Sequence, residues 1–198
     1  MDVLIPGKIA TLMTPSLIQL GVIADTHVPD KAKALHARVL PILRELGVSA
    51  ILHAGDISSP GVLAALEEIA PVHAVRGNRD WVLLRHLPLH LTLNFDGVRL
   101  GLTHSHGGLR NYIIGKFHYI AEGYNLERFK PRLQETFPDA NVIVFGHTHR
   151  PVIRWANGKL FFNPGSTCLT DKRDIPPSLG ILHIRGGGQT SGEIIPLE

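Results

Sequence analysis

Cysteine and long apolar runs are the scarcest features of this 198-residue chain. Cys168 is the single cysteine, which excludes an intrachain disulfide and predicts a reducing, cytoplasmic environment. No apolar run approaches the ~20 residues that cross a bilayer, so we expect no membrane-spanning segment. The first residues lack a basic stretch followed by unbroken apolar sequence, and this predicts no signal peptide.

The chain also lacks a block of basic residues. Lys and Arg together number 20 against 17 Asp and Glu, which gives a formal net charge of +3. This small excess suits an anionic substrate and gives no strong signal for nucleic-acid binding. Hydrophobic residues make up 44% and charged residues 19%, a balance that is ordinary for a globular enzyme and excludes a disordered chain.

The order of the predicted elements indicates an α/β fold. The length suits one domain, residues 1–198, in which residues 1–16 form an N-terminal extension. Strands alternate with helices in the first half and hairpins dominate the second, so we expect parallel strand pairs early and antiparallel pairs late. The predicted strands cover residues 17–24, 49–54, 72–75, 89–95, 98–103, 141–145, 152–156, 160–162, 179–184 and 193–197.

Helices are predicted from apolar residues at helical spacing, over residues 32–46, 59–69 and 126–137. Asp30 is a candidate cap for the first of them. Pro41 lies inside this first stretch and predicts either a kink or a restart of the helix with proline in its first turn. Residues Trp81–Leu87 are predicted as a short helical turn.

Five apolar runs end in side chains that can bind a metal ion. In extended backbone, residues two apart point to the same side, so Asp25 and His27 could hold one cation. Ordinary turn composition explains any one of these strand ends, but it explains all five poorly. Ligands in open α/β folds bind outside the carboxyl ends of strands. The groups are Asp25 and His27, Asp56, Asn78, His104, and His147 with His149.

The segments GVIADTH, HAGD, RGNRD, THSH and FGHTH, in that order, resemble the five blocks of the calcineurin-like metallophosphoesterases. The length and spacing are similar to the small single-domain branch of bacterial and archaeal phosphodiesterases. The resemblance covers roughly residues 17–185. It implies a four-layer αββα sandwich, in which two mixed sheets are flanked by helices and metal ions bind at the carboxyl ends of the strands.

The resemblance also implies two metal sites that share Asp56. Mixed imidazole and carboxylate ligands suit divalent transition metals, and we expect manganese first, with nickel, zinc, iron or cobalt as alternatives to it. One site would use Asp25, His27, Asp56 and His149, and the other would use Asp56, Asn78, His104 and His147.

The expected activity is hydrolysis of a small phosphodiester by a metal-bridging hydroxide, without a nucleophile from the protein. Two divalent ions, two carboxylates and one hydroxide leave about one positive charge, which matches a diester monoanion. A phosphomonoesterase differs only in the charge of its substrate. The alternative from another class is an interaction scaffold like a eukaryotic trafficking subunit of this fold, but here all seven ligand positions keep the expected residue types. A homo-oligomer is also expected.

The residues expected to act in catalysis are Asn78, Arg79, His104 and His106. Many relatives carry histidine where this chain has Arg79, which can hold a phosphate oxygen but cannot donate a proton near pH 7. We therefore expect a preference for acidic leaving groups. His106 is a candidate for contacting the phosphate or the leaving group, and a packed or solvent-facing loop histidine is the alternative.

Several neighbouring residues have two interpretations. His53 is either a buried partner that orients a ligand or an ordinary core histidine. Asp80 either pairs with Arg79 or braces its loop, and Asn163 is expected to support the site without binding metal. The aromatic segment Tyr112–Tyr124 either lines the substrate cleft or belongs to the core or to an oligomer contact.

Overall fold

The computed structural model describes residues 17–106, 126–168 and 175–198. The predicted N-terminal extension and the segment Tyr112–Tyr124 lie outside the described residues. The helices are α1 (Val39–Glu45), α2 (Pro60–Glu67) and α3 (Leu126–Thr136). The strands are β1 (Leu17–Ile23), β2 (Ala50–His53), β3 (Val72–Ala74), β4 (His90–Phe95), β5 (Val98–Thr103), β6 (Val142–Phe145), β7 (Pro151–Ala156), β8 (Lys159–Pro164), β9 (Ser178–Arg185) and β10 (Gln189–Pro196).

The strands form two mixed five-stranded sheets. The first has the order β10-β9-β1-β2-β3, in which β1, β2 and β3 are parallel, β9 is antiparallel to β1, and β10 is antiparallel to β9. The second has the order β4-β5-β6-β8-β7, with a parallel centre and antiparallel edges. The expectation of parallel pairs early and antiparallel pairs late is therefore only partly right, because β5, β6 and β8 pair in parallel in the second half.

Three apolar clusters separate four layers, which confirms the predicted αββα sandwich. The cluster between the sheets includes Leu20, Val144 and Phe162. Alternate strand residues point outward, away from the other sheet. Among them, Ile23 belongs to a second cluster, which also contains Leu43 of α1. A third cluster packs α3 against the second sheet. Since the central strands of both sheets are buried on both faces, their polar side chains concentrate at the strand ends.

The first predicted helix is wrong at its N-terminal end. The stretch 32–46 is helical only from Val39, and Asp30 does not cap it. Pro41 explains this, because a proline is tolerated in the first turn of a helix but not farther inside. Of the two effects predicted for Pro41, a restart of the helix with proline in its first turn is therefore the correct one. The predicted helical turn at Trp81–Leu87 is also wrong, since these residues form turns without a helix.

The second predicted helix is confirmed as α2, which begins at Pro60. Ser59 is its N-cap, and the Ser59 hydroxyl oxygen accepts a hydrogen bond from the Gly61 N–H. Among the helices of the described residues, none is long and apolar enough to cross a membrane.

Candidate metal centre

The predicted ligands follow strands β1, β2, β3, β5 and β6, and the two sheets bring these strand ends together. Five of the seven ligands have a left-handed backbone, which costs about 1–3 kcal/mol for a residue other than glycine. The surrounding hydrogen bonds must therefore hold these turns. The five φ angles are 54° for Asp25, 49° for His27, 54° for Asp56, 73° for His147 and 56° for His149.

Asp25, His27 and His149 form one convergent group. The Asp25 Oδ1 atom lies 3.3 Å from His149 Nε2 and 3.8 Å from His27 Nε2, and the two Nε2 atoms are 3.3 Å apart. Asp25 Oδ1 is buried and has no hydrogen-bond partner among the described residues. A buried carboxylate oxygen beside two imidazole nitrogens has the donor chemistry of a transition-metal site.

Asp56, Asn78 and His104 form a second convergent group. His104 Nε2 lies 3.2 Å from Asn78 Oδ1 and 3.4 Å from Asp56 Oδ1, while His104 Nδ1 is 2.8 Å from the Ala54 carbonyl oxygen. A carbonyl only accepts, so Nδ1 carries the proton and donates it there. In the neutral ring this directs the Nε2 lone pair toward two oxygens, which is the arrangement of a metal ligand.

Electrostatics keep the carboxylates ionised and favour positive charge in this centre. Burial alone would raise the pKa of Asp56, but the imidazoles of His104 and His27 and the Arg79 N–H together lower it below its usual range. Burial alone would lower the pKa of His104, but the carboxylates of Asp56 and Asp25 and the Ala54 carbonyl together raise it to about 9. Each group therefore stabilises the charged form of the other. A metal ion would replace the proton of His104, because it would stabilise the Asp56 carboxylate and bind the neutral imidazole.

Of the other three imidazoles among the predicted ligands, two are held neutral, which is the form that binds metals, whereas the neighbouring carboxylates raise the pKa of His149 against the effect of burial. Burial lowers the pKa of His27 to about 4 and that of His147 to about 3. The His147 ring centre lies 5.0 Å from that of His104, on the side of the second group. Its backbone N–H donates to Asp25 Oδ2 at 3.0 Å, which ties the His147 turn to the first group.

Asp56 lies between the two groups. Its Oδ1 is 3.4 Å from His104 Nε2, and its Oδ2 is 3.7 Å from His27 Nε2. The backbone N–H of Arg79 donates to Oδ1 at 2.8 Å and fixes the carboxylate. A side chain at Gly77 would collide with the same carboxylate, so glycine is required there. The position of Asp56 fits the predicted bridging ligand.

Asp80 braces the turns that carry Asp56 and Asn78, which agrees with one of the two roles that we expected for it from the sequence. The carboxylate is buried and accepts hydrogen bonds from the backbone N–H groups of Ile57, Ser58 and Gly77, at distances of 2.7–3.3 Å. These donors flank Asp56 and Asn78. The other interpretation is wrong, because the guanidinium of Arg79 pairs instead with the Asp30 carboxylate, 3.5 Å away.

His53 and Asn163 each support a ligand turn from the core. His53 is fully buried, accepts from the Gly55 N–H at 3.2 Å, and has its Nε2 3.2 Å from the Thr26 hydroxyl. It therefore links the turns after β1 and β2. The Asn163 amide donates to the Gly146 carbonyl at 3.1 Å and to the Thr148 hydroxyl at 3.0 Å, as its predicted supporting role requires.

The buried His53 predicts that the metal-free protein loses stability as the pH falls. Burial lowers the pKa of His53 to about 3 from the ordinary 6.5 that the unfolded chain keeps. The unfolded chain therefore binds the extra proton between these values, and the free energy of unfolding falls with pH through this window. Between pH 7 and pH 5, His53→Asn should remove about 2 kcal/mol of this decrease, measured by urea denaturation.

The exposed His86 provides the matched control, since His86→Asn should keep the pH dependence of the wild-type protein. If His53→Asn shows the same loss of stability between pH 7 and pH 5 as the wild type, His53 is not the titrating group.

Two contacts to Asp25 were not predicted from the sequence. The Ser166 hydroxyl donates to the Asp25 carbonyl oxygen at 2.9 Å, and the Cys168 thiol lies 3.3 Å from the same oxygen. Both hold the left-handed turn of Asp25 from a segment about 140 residues away in the chain. No local pattern distinguishes these residues from an ordinary turn, so only the tertiary structure identifies them.

Arg79 and His106 lie at the edge of the centre. The Arg79 side chain is 44% exposed. The His106 ring is buried, its centre is 5.4 Å from that of His104, and its Nε2 has no hydrogen-bond partner among the described residues. Burial lowers the pKa of His106 to about 4, so the ring is neutral near pH 7. Burial excludes a solvent-facing loop histidine, whereas a packed histidine and a contact with the phosphate or the leaving group both fit this position.

Comparison with known proteins supports a single family. A model described as the calcineurin-like phosphoesterase superfamily domain matches residues 18–187. A probable metallophosphoesterase of Methanothermobacter thermautotrophicus is 34% identical over 167 residues, which cover 84% of this chain and 86% of the relative. A phosphodiesterase of Methanocaldococcus jannaschii is 24% identical over 174 residues, with coverage of 83% and 92%.

A solved structure shows the same fold. Vacuolar protein sorting 29 from Cryptosporidium parvum superposes with a TM-score of 0.69 at 21% identity, over 92% of this chain and 98% of that one. At this identity the likeness concerns the fold alone.

Proposed function

We propose that this chain, which belongs to the calcineurin-like phosphoesterase superfamily, is a phosphodiesterase that uses two divalent transition-metal ions. The observation that carries the proposal is the position of Asp56 between two donor groups, with its Oδ1 3.4 Å from His104 Nε2 and its Oδ2 3.7 Å from His27 Nε2. One donor atom from each of Asp25, His27 and His149 lies within 4.8 Å of the others, and the same holds for Asp25, Asp56 and His104. Manganese is the ion we expect first, and nickel, zinc, iron and cobalt suit the same ligands.

The residues present fit such ions. Asp25 Oδ1 is a buried carboxylate oxygen without a hydrogen-bond partner in the described part of the chain, and its lone pairs could coordinate a metal ion. When bound, the metals would lower the pKa of a water and stabilise negative charge on the phosphoryl oxygens. The protein would contribute orientation. Asp56 directs one oxygen to each donor group, and the Ala54 carbonyl fixes the tautomer of His104.

Because position 79 is an arginine, the site has no obvious residue that could donate a proton to the leaving group of the substrate. Its guanidinium cannot give up a proton near pH 7 and pairs with Asp30. We therefore expect aryl diesters, whose leaving groups need no proton, to be cleaved at least about a hundredfold faster than simple alkyl diesters. Comparing kcat/KM for methyl 4-nitrophenyl phosphate and dimethyl phosphate tests this, and equal values would contradict it.

Two other functions share the same fold. An interaction scaffold is supported by the structural likeness to vacuolar protein sorting 29, which concerns the fold alone. A phosphomonoesterase would use the same ligands for a dianionic substrate. The complete set of ligand types favours an enzyme over the scaffold, and the relative named phosphodiesterase favours the diesterase over the monoesterase. A cytoplasmic location and a homo-oligomer are further parts of the proposal, the first from the single cysteine and the second from the frequency of symmetric assemblies.

Metal stoichiometry tests the two-ion part of the proposal. After chelator treatment and refilling with Mn²⁺, elemental analysis should find two ions per chain. His149→Ala should lose the ion of the first group and His147→Ala that of the second, whereas the exposed-histidine control His86→Ala should keep both. One ion in the wild-type chain, or two ions in both ligand variants, would contradict the assignment.

A further inference from the structure

A cavity of about 320 Å³ adjoins the candidate metal centre. It lies between the end of β5 and α3, and its walls include Thr103, Ser105, His106, Arg132 and Thr136. This volume is at the lower end of the range for small-molecule sites. His106 connects the cavity to the metal centre, because its ring centre is 5.4 Å from that of His104 and 6.5 Å from that of His147.

The permanent charge on the described residues that line the cavity is of one sign. Arg132 contributes a permanent positive charge, and no aspartate or glutamate is among the described residues that line the walls. The Arg132 guanidinium donates a hydrogen bond to the Ser105 carbonyl oxygen, which anchors the side chain at the wall. A guanidinium has five N–H donors, so this bond leaves the group with further capacity for an anion.

One residue of the cavity wall has an unsatisfied polar atom. His106 is 5% exposed, and its Nε2 is buried without a hydrogen-bond partner among the described residues. Buried polar atoms in native proteins nearly always have a partner, so a movement of the ring that brings this nitrogen to the cavity would let it bind a polar group of a ligand. A half-buried leucine, Leu89, and the buried Leu133 supply apolar surface beside these groups.

We propose that this cavity binds one ester arm of the substrate and selects an arm that carries a second anionic group, a carboxylate or a phosphate. The inference rests on the proposed phosphodiesterase activity. The phosphodiester would lie at the metal centre, His106 would contact the arm where it enters the cavity, and Arg132 would pair with the second anion. Arg132 and His106 are thus specificity residues for a substrate with at least two negative charges.

Matched diesters that release the same 4-nitrophenolate test the inference. The second arm is 2-carboxyethyl or its neutral analogue propyl, and in a longer pair 4-carboxybutyl or pentyl. For the metal-loaded wild type we expect kcat/KM to be about tenfold higher with the charged arm in at least one pair, the size of one charge-assisted hydrogen bond. A 2-phosphonoethyl arm distinguishes a phosphate-type anion from a carboxylate, and preference for either supports the inference.

Substitutions test whether the preference for the charged arm arises from the cavity. Arg132→Gln should reduce the charged-to-neutral ratio to about one, whereas Arg132→Lys, which keeps the charge, should retain severalfold preference. Arg99→Gln, at an exposed position on β5, removes a positive charge elsewhere and should keep the wild-type ratio. A wild-type ratio of one or below, or an unchanged ratio in Arg132→Gln, would overturn the inference.

A binding measurement separates this inference from the proposed function. Calorimetry compares 2-carboxyethyl phosphate with propyl phosphate on the metal-loaded wild type and on Arg132→Gln, and it requires no turnover. If none of the 4-nitrophenyl diesters is hydrolysed, the proposed function fails. Tighter binding of the carboxylated compound, lost in Arg132→Gln, would still support the cavity as an anion site, and equal binding would overturn it.

Discussion

Asp56→Asn should lower kcat/KM for bis-4-nitrophenyl phosphate by at least about a thousandfold. Loss of a residue that only orients a metal ligand costs 10–100-fold, so loss of a carboxylate shared by two ions should cost more. Asparagine keeps the shape of the side chain and one oxygen that can accept from the Arg79 N–H. It removes the negative charge and replaces one of the two oxygens that face the donor groups.

The matched control is Asp139→Asn, the same chemical change at an exposed position, which should keep wild-type activity. Circular dichroism and thermal melting establish whether Asp56→Asn is folded. Elemental analysis should find fewer than two ions per chain in this variant. A folded Asp56→Asn protein with more than a tenth of wild-type activity would show that Asp56 does not bridge.

Asp80→Ala should give the largest loss of stability that we predict, about 3–5 kcal/mol. The Asp80 carboxylate accepts from the backbone N–H groups of Ile57, Ser58 and Gly77 in a buried environment. Alanine would leave these buried donors without partners, and each such group costs about 1–3 kcal/mol. Because the donors belong to the turns of Asp56 and Asn78, affinity for Mn²⁺ should fall as well.

Urea denaturation of the metal-free proteins measures this change, with Asp139→Ala as the control for loss of an exposed aspartate. Asp80→Asn should also be destabilising, because its amide group has one acceptor oxygen and presents N–H donors to backbone donors. A change below about 1 kcal/mol in Asp80→Ala would contradict the bracing role.

The strand ends explain why the sequence predicts which side chains the fold brings together. Asp25 and Asp56 each follow an apolar strand, and parallel pairing of β1 with β2 places the carboxyl ends at one edge. His104 and His147 follow the parallel strands β5 and β6 in the same way. Local sequence signals and one rule of sheet topology are therefore enough to predict that these side chains, which are far apart in the chain, lie close together in the fold.

What the sequence does not reveal depends on tertiary contacts. Ser166 donates a hydrogen bond to the Asp25 backbone, which is about 140 residues away in the chain, and Asp80 accepts hydrogen bonds from two separate turns. Both side chains look like ordinary turn residues until the chain is folded. The cavity beside Arg132 likewise requires α3 to pack against the end of β5. The start of α1 was missed because the effect of Pro41 allowed two outcomes that local sequence alone does not separate.

The central claim is that the metal centre cleaves phosphodiesters, and one assay tests it most directly. The protein is stripped with a chelator, refilled separately with Mn²⁺, Ni²⁺ and Zn²⁺, and assayed with bis-4-nitrophenyl phosphate and with 4-nitrophenyl phosphate. We predict metal-dependent cleavage that favours the diester and is lost in Asp56→Asn and His147→Ala. Two bound ions with no cleavage of either compound would contradict the claim and favour the scaffold, and a preference for the monoester would favour a phosphomonoesterase.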